Sequence, residues 1–462
     1  VRLKIDGSPG QLALPAVSGG PYLDGSVRTQ PTSAAVDSPA VNTTIFEQWT
    51  NNRQVASFGT NDGSPRLAFQ AWHHFKEAFP PELIRHAVGL SDLDVSWCLD
   101  PFGGSGTTAL ACQMLGINST TIEVNPFLTD VIRAKLREYD LDRITSALAE
   151  VRKTARRDGP TASEYFSAVP PTFLEPGVSN RWIFNEGTAG RLAAILNAID
   201  GLSNSDDQRL LRVIIGGMLT QVSNVIVSGK GRRYRRNWRT AGLVDDYVDA
   251  LFAQRAQVAI RDLRTFSARP QVDARVLRAD SRKLKADQKH QIAIMSPPYP
   301  NSFDYTDVYN LELWMLGYLR ESADNRLLRT ATLTSHVQLA RDYPQSPNGS
   351  PLLDSTLDQL DKVKGKLWSP WIPAMIGGYF ADLLTVLAHV RSSLDEQGKC
   401  WMVVGDSSYS GTPIPVAKIL QELAPAHGWH VAEARPFRHM KSSAQQGWRA
   451  NLAESIVVLS KR

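Results

Sequence analysis

Val95-Ser96-Trp97-Cys98-Leu99 leads into Asp100-Pro101-Phe102-Gly103-Gly104-Ser105-Gly106-Thr107-Thr108, and Ala109 to Leu115, closed by Gly116, follows. This is a short apolar strand, a glycine-rich turn and a helix. Glycines let a backbone approach a ligand closely and tolerate positive φ, and the first-turn amides of the helix attract anionic or polar groups. A second strand, Ser119 to Ile122, ends in Glu123, about twenty residues beyond the turn, where an acidic side chain can bind the two hydroxyls of a ribose. The pattern predicts an α/β fold with a mostly parallel, Rossmann-like sheet. No lysine follows the glycines, so the turn is not a phosphate-gripping loop, and it does not fit the G-x-G-x-x-G spacing of dinucleotide sites. An adenosine-type ligand without a phosphate chain fits better, which makes S-adenosylmethionine the expected cofactor.

The second informative stretch lies far downstream. Ile292-Ala293-Ile294-Met295 reads as a buried strand, and Ser296-Pro297-Pro298-Tyr299 follows it directly. Two prolines cannot continue a sheet ladder, so the chain leaves the strand in a stiff turn. Open α/β sheets bind ligands at that carboxyl edge. A flat base suits this turn: Tyr299 can stack on its face, while Ser296 and the Pro297 carbonyl can meet an exocyclic amine. Alone, the tetrapeptide also reads as a plain proline-rich loop; its pairing with the glycine turn favours the functional reading.

Together the two stretches resemble the amino-methylating DNA methyltransferases, which modify N4 of cytosine or N6 of adenine. Weaker marks agree with the resemblance. Phe75 to Ile84, with Phe79 and Pro81, looks like the segment packing over the methionine end of the cofactor. Glu123-Val124-Asn125-Pro126 looks like the ribose-binding segment, and Ala279-Asp280-Ser281-Arg282 like the acidic turn near the adenine. Val403 to Ser407 resembles a later strand with its turn, and Glu454 to Leu459 the last strand of a closing antiparallel hairpin. The likeness covers roughly residues 65–140 and 270–462. It implies a cofactor site formed by Phe79, Pro81, Asp100 to Thr108, Glu123, Val124, Asn125, Asp280 and Ser281, and a catalytic site formed by Ser296, Pro297, Pro298 and Tyr299. Many relatives carry the Pro-Pro-Tyr motif first, whereas here the cofactor turn precedes it.

The chain has 462 residues, a hydrophobic fraction of 42% and a net charge of +5, a mild basic bias that permits nucleic-acid binding without establishing it. Cys98, Cys112 and Cys400 are widely spaced and show no metal pattern, so neither a metal nor disulfides are expected. The absence of a disulfide pattern leads to the expectation of a reducing cytoplasm, no run of 18 apolar residues and no signal-peptide pattern is seen, and the resemblance implies a prokaryotic, nucleoid-associated protein. His73 and His74 read as packing or phosphate-contact residues, since no carboxylate–histidine spacing supports a metal.

Six segments follow from composition taken together with the resemblance. Residues 1–60 form an extension, loosely structured over 1–45. Residues 61–158 form the cofactor half of the core, 159–268 a helical insertion, 269–319 the catalytic half, 320–372 a polar, irregular insert that competes with the helical insertion as the candidate for target recognition, and 373–462 the C-terminal part. Within the insertion, helices are expected over Thr188 to Ile199, Asp207 to Val227 and Val244 to Phe266. Between the last two, Gly229 to Arg239 has six cations in eleven residues, including Lys230, Arg232, Arg233, Arg235 and Arg236, with Tyr234 and Trp238 interleaved. Such a loop can grip phosphates and stack on bases, or can simply be a solvated charge run. After the catalytic turn, Asn301, Asp304 and Tyr305 either frame a base pocket or cap a helix over Val308 to Leu319. A further helix, Phe380 to Leu394, feeds the strand Cys400 to Val404.

Ser in the first motif position, as the resemblance has it, is usual for cytosine N4 and Asp or Asn for adenine N6; the cytosine reading is favoured and adenine stays open. The implied partner is double-stranded DNA with a flipped base, within restriction–modification or phage defence, beside a restriction endonuclease or other defence subunits. An RNA methyltransferase and a non-catalytic DNA-binding module are the competing readings.

Overall fold

The computed structural model describes residues 43–461 apart from 56, 60, 62, 158, 229–230, 240–244, 284–287 and 442–450. The extension expected over 1–45 and the Lys230 assignment therefore lie wholly or mainly outside the described residues. The described strands are β1 (Trp97–Asp100), β2 (Asn118–Glu123), β3 (Val225–Ser228), β4 (Gly231–Tyr234), β5 (Ala274–Arg278), β6 (His290–Met295), β7 (Leu394–Gly405), β8 (Ser407–Tyr409), β9 (Thr412–Ile414), β10 (Trp429–Lys441) and β11 (Asn451–Lys461).

Seven of them form one sheet in the order β10-β11-β7-β6-β1-β2-β5. Pairings from β7 through β5 are parallel; β11 runs antiparallel to both β7 and β10. This is the expected mostly parallel sheet with an antiparallel C-terminal hairpin. The chain steps from β1 outward to β2 and β5, then crosses back to lay β6 on the other side of β1. That reversal is a topological switch point, where open α/β sheets leave a crevice beyond their carboxyl ends. The register pairs Cys98 with Ile292 and Leu99 with Ala293. The glycine turn after β1 and the Ser296 turn after β6 therefore leave the sheet side by side.

Alternation along the central strands builds a core on each face. Cys98, Ile292 and Ile294 face one core with the helices Thr107–Leu115, Pro126–Leu136 and Leu141–Thr154. Leu99, Ala293 and Met295 face the other, against Ile372–Ser393, Pro351–Lys362 and Val416–Leu423. Ile372–Ser393 is apolar enough by length and composition to cross a membrane, but most of it is buried here, as a helix covered on nearly all sides must be.

The insertion is helical, as expected, and extends the first core with Glu186–Asp200, Ser205–Met218 and Asp245–Thr265. Its middle helix stops at Met218, well short of the expected Val227. The chain turns through Ser223, whose hydroxyl bonds the Thr220 and Val225 carbonyls, and enters the antiparallel pair β3–β4. The basic run is thus half hairpin rather than a free loop. Three other expectations also shift. The helix after the catalytic turn is split into Tyr305–Val308 and Asn310–Met315. The 320–372 insert carries the helices Ser322–Thr330 and Pro351–Lys362, capped by Glu321 and Ser350. The helix feeding β7 starts at Ile372, eight residues earlier than expected, with Pro373 in its first turn.

Candidate active site

A cavity of about 400 Å³ opens at the switch point, a size within the range of small-molecule sites. Its floor is the glycine turn. Glu123, at the end of β2, accepts the Gly104 N–H at 2.7 Å on one carboxylate oxygen and the Asn125 N–H at 2.8 Å on the other. Gly104 has φ +51° and Gly106 φ +82°, both left-handed, so the turn needs glycine at these positions. Asn125 in turn caps Pro126–Leu136, accepting from the Phe127 and Leu128 amides. Asp100 accepts the Phe102 N–H at 2.9 Å. Burial raises its carboxyl to about 6 and that of Glu123 to about 7. Behind the turn, Lys135 is fully buried, donates to the Ser105 carbonyl at 2.7 Å and to Gln70 Oε1 at 2.8 Å, and is lowered to about 7 by burial.

Ser281 hydrogen-bonds the Pro101 carbonyl, so the turn after β5 is fastened to the turn after β1. Its neighbour Asp280 pairs with Arg282 at 2.8 Å. Arg282 also reaches Asp382 at 3.0 Å and the Thr330 carbonyl at 2.9 Å, and Asp382 accepts the Thr334 N–H at 2.9 Å. This network holds Ala331, Thr332, Leu333, Ser335 and His336 against the cavity, so the 320–372 insert forms part of its wall.

The opposite wall is the turn that opens with Ser296. Ser296, Pro298 and Tyr299 line the cavity, while Pro297 is buried behind them. The Tyr299 phenol donates to Glu454 on β11 at 2.7 Å, and burial pushes its pKa far up, helped by that carboxylate. Arg438 on β10 lies 3.0 Å from the other oxygen of Glu454. Further along, Ser302 takes a left-handed φ of +59°. Its N–H donates to the Ser335 carbonyl at 2.9 Å, and its hydroxyl accepts the Val337 N–H at 3.2 Å.

The structure gathers most of the expected residues around this one space: Phe79, Asp100 to Ser105, Thr107, Thr108, Glu123, Val124, Asn125, Asp280, Ser281, Asn301 and Tyr305 also line it. It does not bring all of them there. Pro81 and Gly106 sit at helix N-termini behind the wall. Asp304 is buried as the cap of Tyr305–Val308 and pairs with Arg329 at 2.5 Å. His73 is packed edge-on against Phe127 and Tyr309, and burial lowers it to about 3, which makes it a neutral packing residue.

Glu77, Tyr309, His336, Arg438 and Glu454 line the site without having been singled out for it. Tyr309 donates to Glu77 at 2.5 Å, and burial raises the Glu77 carboxyl despite that bond. The available signal was thin: a carboxylate among aromatics in Phe75 to Phe79, and another opening an otherwise apolar final strand.

The basic run stands beside this wall. Val227 packs on Phe303, Val308 and Tyr309, and Arg232 lies 3.7 Å from Asp307. Arg235 is tied to the Ser223 and Thr220 carbonyls at 2.9 and 2.7 Å. Tyr234 stacks on Trp238, which is buried against Trp182. Arg233 and Arg236 are exposed.

A family profile described as DNA methylase matches residues 37–134. The Type II methyltransferase M.BsoBI of Geobacillus stearothermophilus is 24% identical over 90% of either chain. The Type II methyltransferase M.AvaI of Anabaena variabilis is 25% identical over 86% of either chain. The Type II methyltransferase M.Cfr9I of Citrobacter freundii is 38% identical across 16% of this chain and 25% of its own. Among solved structures, the glycopeptide N-methyltransferase MtfA complexed with S-adenosyl-L-methionine aligns over 84% of this chain and 90% of its own, at 8% identity and a TM-score of 0.26. In sequence, then, the chain is similar to the amino-methylating DNA methyltransferases, by the profile over residues 37–134 and by the Type II methyltransferases that match along most of its length.

Proposed function

We propose that this protein is a Type II DNA methyltransferase that transfers a methyl group from S-adenosylmethionine to the exocyclic N4 of cytosine. The observation that carries this reading is the register of β1 with β6, which opens the glycine turn and the Ser296 turn into one cavity.

The donor set fits the cofactor. Glu77, Asp100, Glu123, Asp280 and Glu454 line the cavity against Lys76, Arg282 and Arg438. An acceptor-rich wall suits a ligand carrying hydroxyl donors and positive charge better than one carrying phosphates. Glu123, already fixed by two backbone amides, keeps lone pairs for the ribose hydroxyls. Asp100 offers a buried acceptor for a cationic group, and Phe79 and Phe102 supply apolar surface. When bound, S-adenosylmethionine supplies a methyl group activated by a sulfonium.

The chain's own residues then do the rest. An exocyclic amine on a base is a poor nucleophile because its lone pair spreads into the ring. Ser296 Oγ and the Pro297 carbonyl accept its two N–H bonds and draw the nitrogen towards tetrahedral geometry, turning the lone pair to the glycine turn. Most of the rate enhancement is positioning of two bound reactants. The target base must leave the duplex, and Tyr299 offsets the lost stacking by about 1–3 kcal/mol. Arg233 and Arg236 meet backbone phosphates beside the site. The exposed Trp368 and Trp371, at the end of the 320–372 insert, offer two further flat surfaces to nucleic acid. No cysteine follows a proline, so the covalent route of ring-carbon methylation has no nucleophile of the expected kind.

The test is nucleoside mass spectrometry of DNA and RNA from cells expressing the protein. N4-methylcytosine in DNA is expected. N6-methyladenine would move the target atom and keep the rest. New methylated nucleosides in RNA alone, or in neither polymer, would overturn the reading.

A further inference from the structure

A serine hydroxyl carries one donor and two acceptor lone pairs. It can accept an amine N–H only if its own hydrogen points elsewhere. An aspartate at that position would face no such choice. Something must therefore orient Ser296, and the structure places a chain of groups behind it.

Tyr299 Oη donates its hydrogen to Glu454 Oε1 at 2.7 Å, which leaves the phenol oxygen free to accept. Ser296 opens the same turn and lines the same cavity as Tyr299, and it favours the phenolate as a donor to that oxygen would. An ionised carboxylate only accepts, so Glu454 fixes the polarity of the series. Burial raises the Glu454 carboxyl, while the Tyr299 bond and Arg438, 3.0 Å from the second carboxylate oxygen, act against it and favour the ionised form. The tyrosine ring has a fitted seat as well. A Cβ at Gly405, the last residue of β7, would lie 2.5 Å from two of its ring carbons, too close for any side chain. One side of the ring thus rests on bare backbone.

We propose that Glu454 and Gly405 are positioning residues for the catalytic turn. Glu454, through the Tyr299 phenol, aims the Ser296 lone pairs at the target amine, while Gly405 seats the ring so that it presents its open side to the base. No proton is transferred and no bond is made or broken in this arrangement; it sets direction only. The inference rests on the role given to Ser296 and Tyr299 under the proposed function. It assigns to the closing hairpin, whose residues are 155 positions from the turn they hold, a part in chemistry rather than only in closing the sheet.

The experiment uses the full chain and compares wild type with Tyr299→Phe, Glu454→Ala and the double variant. Methyl transfer to DNA gives kcat and KM, and titration calorimetry with S-adenosylmethionine gives Kd. Phenylalanine keeps the stacking ring and removes only the relay. Each single variant is expected to lose about tenfold in kcat, the worth of one oriented hydrogen bond, with KM for DNA and cofactor Kd within about twofold of wild type. The double variant should be no slower than the slower single one, since both cut one chain. A Tyr299→Phe enzyme with wild-type kcat, or losses that multiply in the double variant, overturns this inference alone. Absence of transfer by the wild-type protein overturns it together with the proposed function.

Discussion

The two turns that meet at the switch point are built in opposite ways. The glycine turn is a local object. Its main clamp, Glu123 to the Gly104 amide, spans 19 residues within one strand–turn–helix–strand unit, and Lys135 and Ser281 add outer fastenings to it. The Ser296 turn is assembled from a distance. Tyr299 is held by Glu454, 155 residues away, Pro300 by the Tyr409 phenol, 109 residues away, and Ser302 by the 335–338 segment. One site is written in its own sequence; the other exists only once the sheet has closed. The cofactor half should therefore fail by losing affinity and the catalytic half by losing rate, and separate variants can show it.

The largest effect belongs to Tyr299→Ala. Loss of the ring removes stacking worth about 1–3 kcal/mol and leaves Glu454 without its donor, so methyl transfer should fall on the order of a hundredfold or more. Cofactor Kd, read by calorimetry, should not change. Undiminished turnover would separate the tyrosine from the base and dissolve the contrast.

Glu123→Gln attacks the other turn. The amide nitrogen of glutamine would face either the Gly104 or the Asn125 N–H, and the ionised acceptor for the ribose is gone. A loss of about 1.5–3 kcal/mol, roughly ten- to a hundredfold in Kd, is expected, with kcat at saturating cofactor reduced far less. A kcat loss as large as the Kd loss would mean that the two turns are not separable.

How much of this was legible follows from the same contrast. The strands β1, β2 and β6, the glycine turn and Ser296 to Tyr299 could be read because apolar runs, prolines and glycines act within a few residues. Glu454 could not be placed at the site, because in sequence it opens an alternating final strand like any other. His336 was silent for the same reason, since nothing local says that the network through Arg282 and Asp382 will press residues 331–336 onto the cavity, and Glu77 showed only as a carboxylate among aromatics. The middle helix of the insertion was overextended because Leu219 to Val227 keeps an apolar rhythm, and only pairing with β4 decides that Val225 is strand. The basic run was legible as charge but not as structure. Trp238 is packed inside, and Arg235 braces the hairpin.

A pH series sharpens the local half. Burial holds Glu123 protonated up to about 7 and Asp100 up to about 6. Because these folded-state values lie above the ordinary carboxylate range, the ligand-free fold binds protons that the unfolded chain has released, and its stability falls as pH rises from that range through about 7. Cofactor binding has the opposite sign, since the ribose hydroxyls need the ionised acceptor. Affinity should be full above pH 7 and weaken by up to about tenfold per unit below it. In Glu123→Gln the fall should begin only near pH 6, where Asp100 titrates. A flat calorimetric profile from pH 8 to 5.5 would remove Glu123 from the ribose.

The smallest effect concerns the surface beside the assembled half. Of the arginines in the basic run, Arg235 bonds two backbone carbonyls and Arg232 leans on Asp307, so replacing them would disturb the hairpin as well as any phosphate contact. Arg233 and Arg236 are exposed and are the ones to change. If each neutralises one phosphate, Arg233→Ala with Arg236→Ala should make the slope of log K against log salt shallower by up to about 2, at a modest cost in affinity and none in cofactor Kd. An unchanged slope would return the hairpin to an ordinary solvated surface. It would also leave the 320–372 insert, with its exposed Trp368 and Trp371, as the part of the chain that meets the duplex.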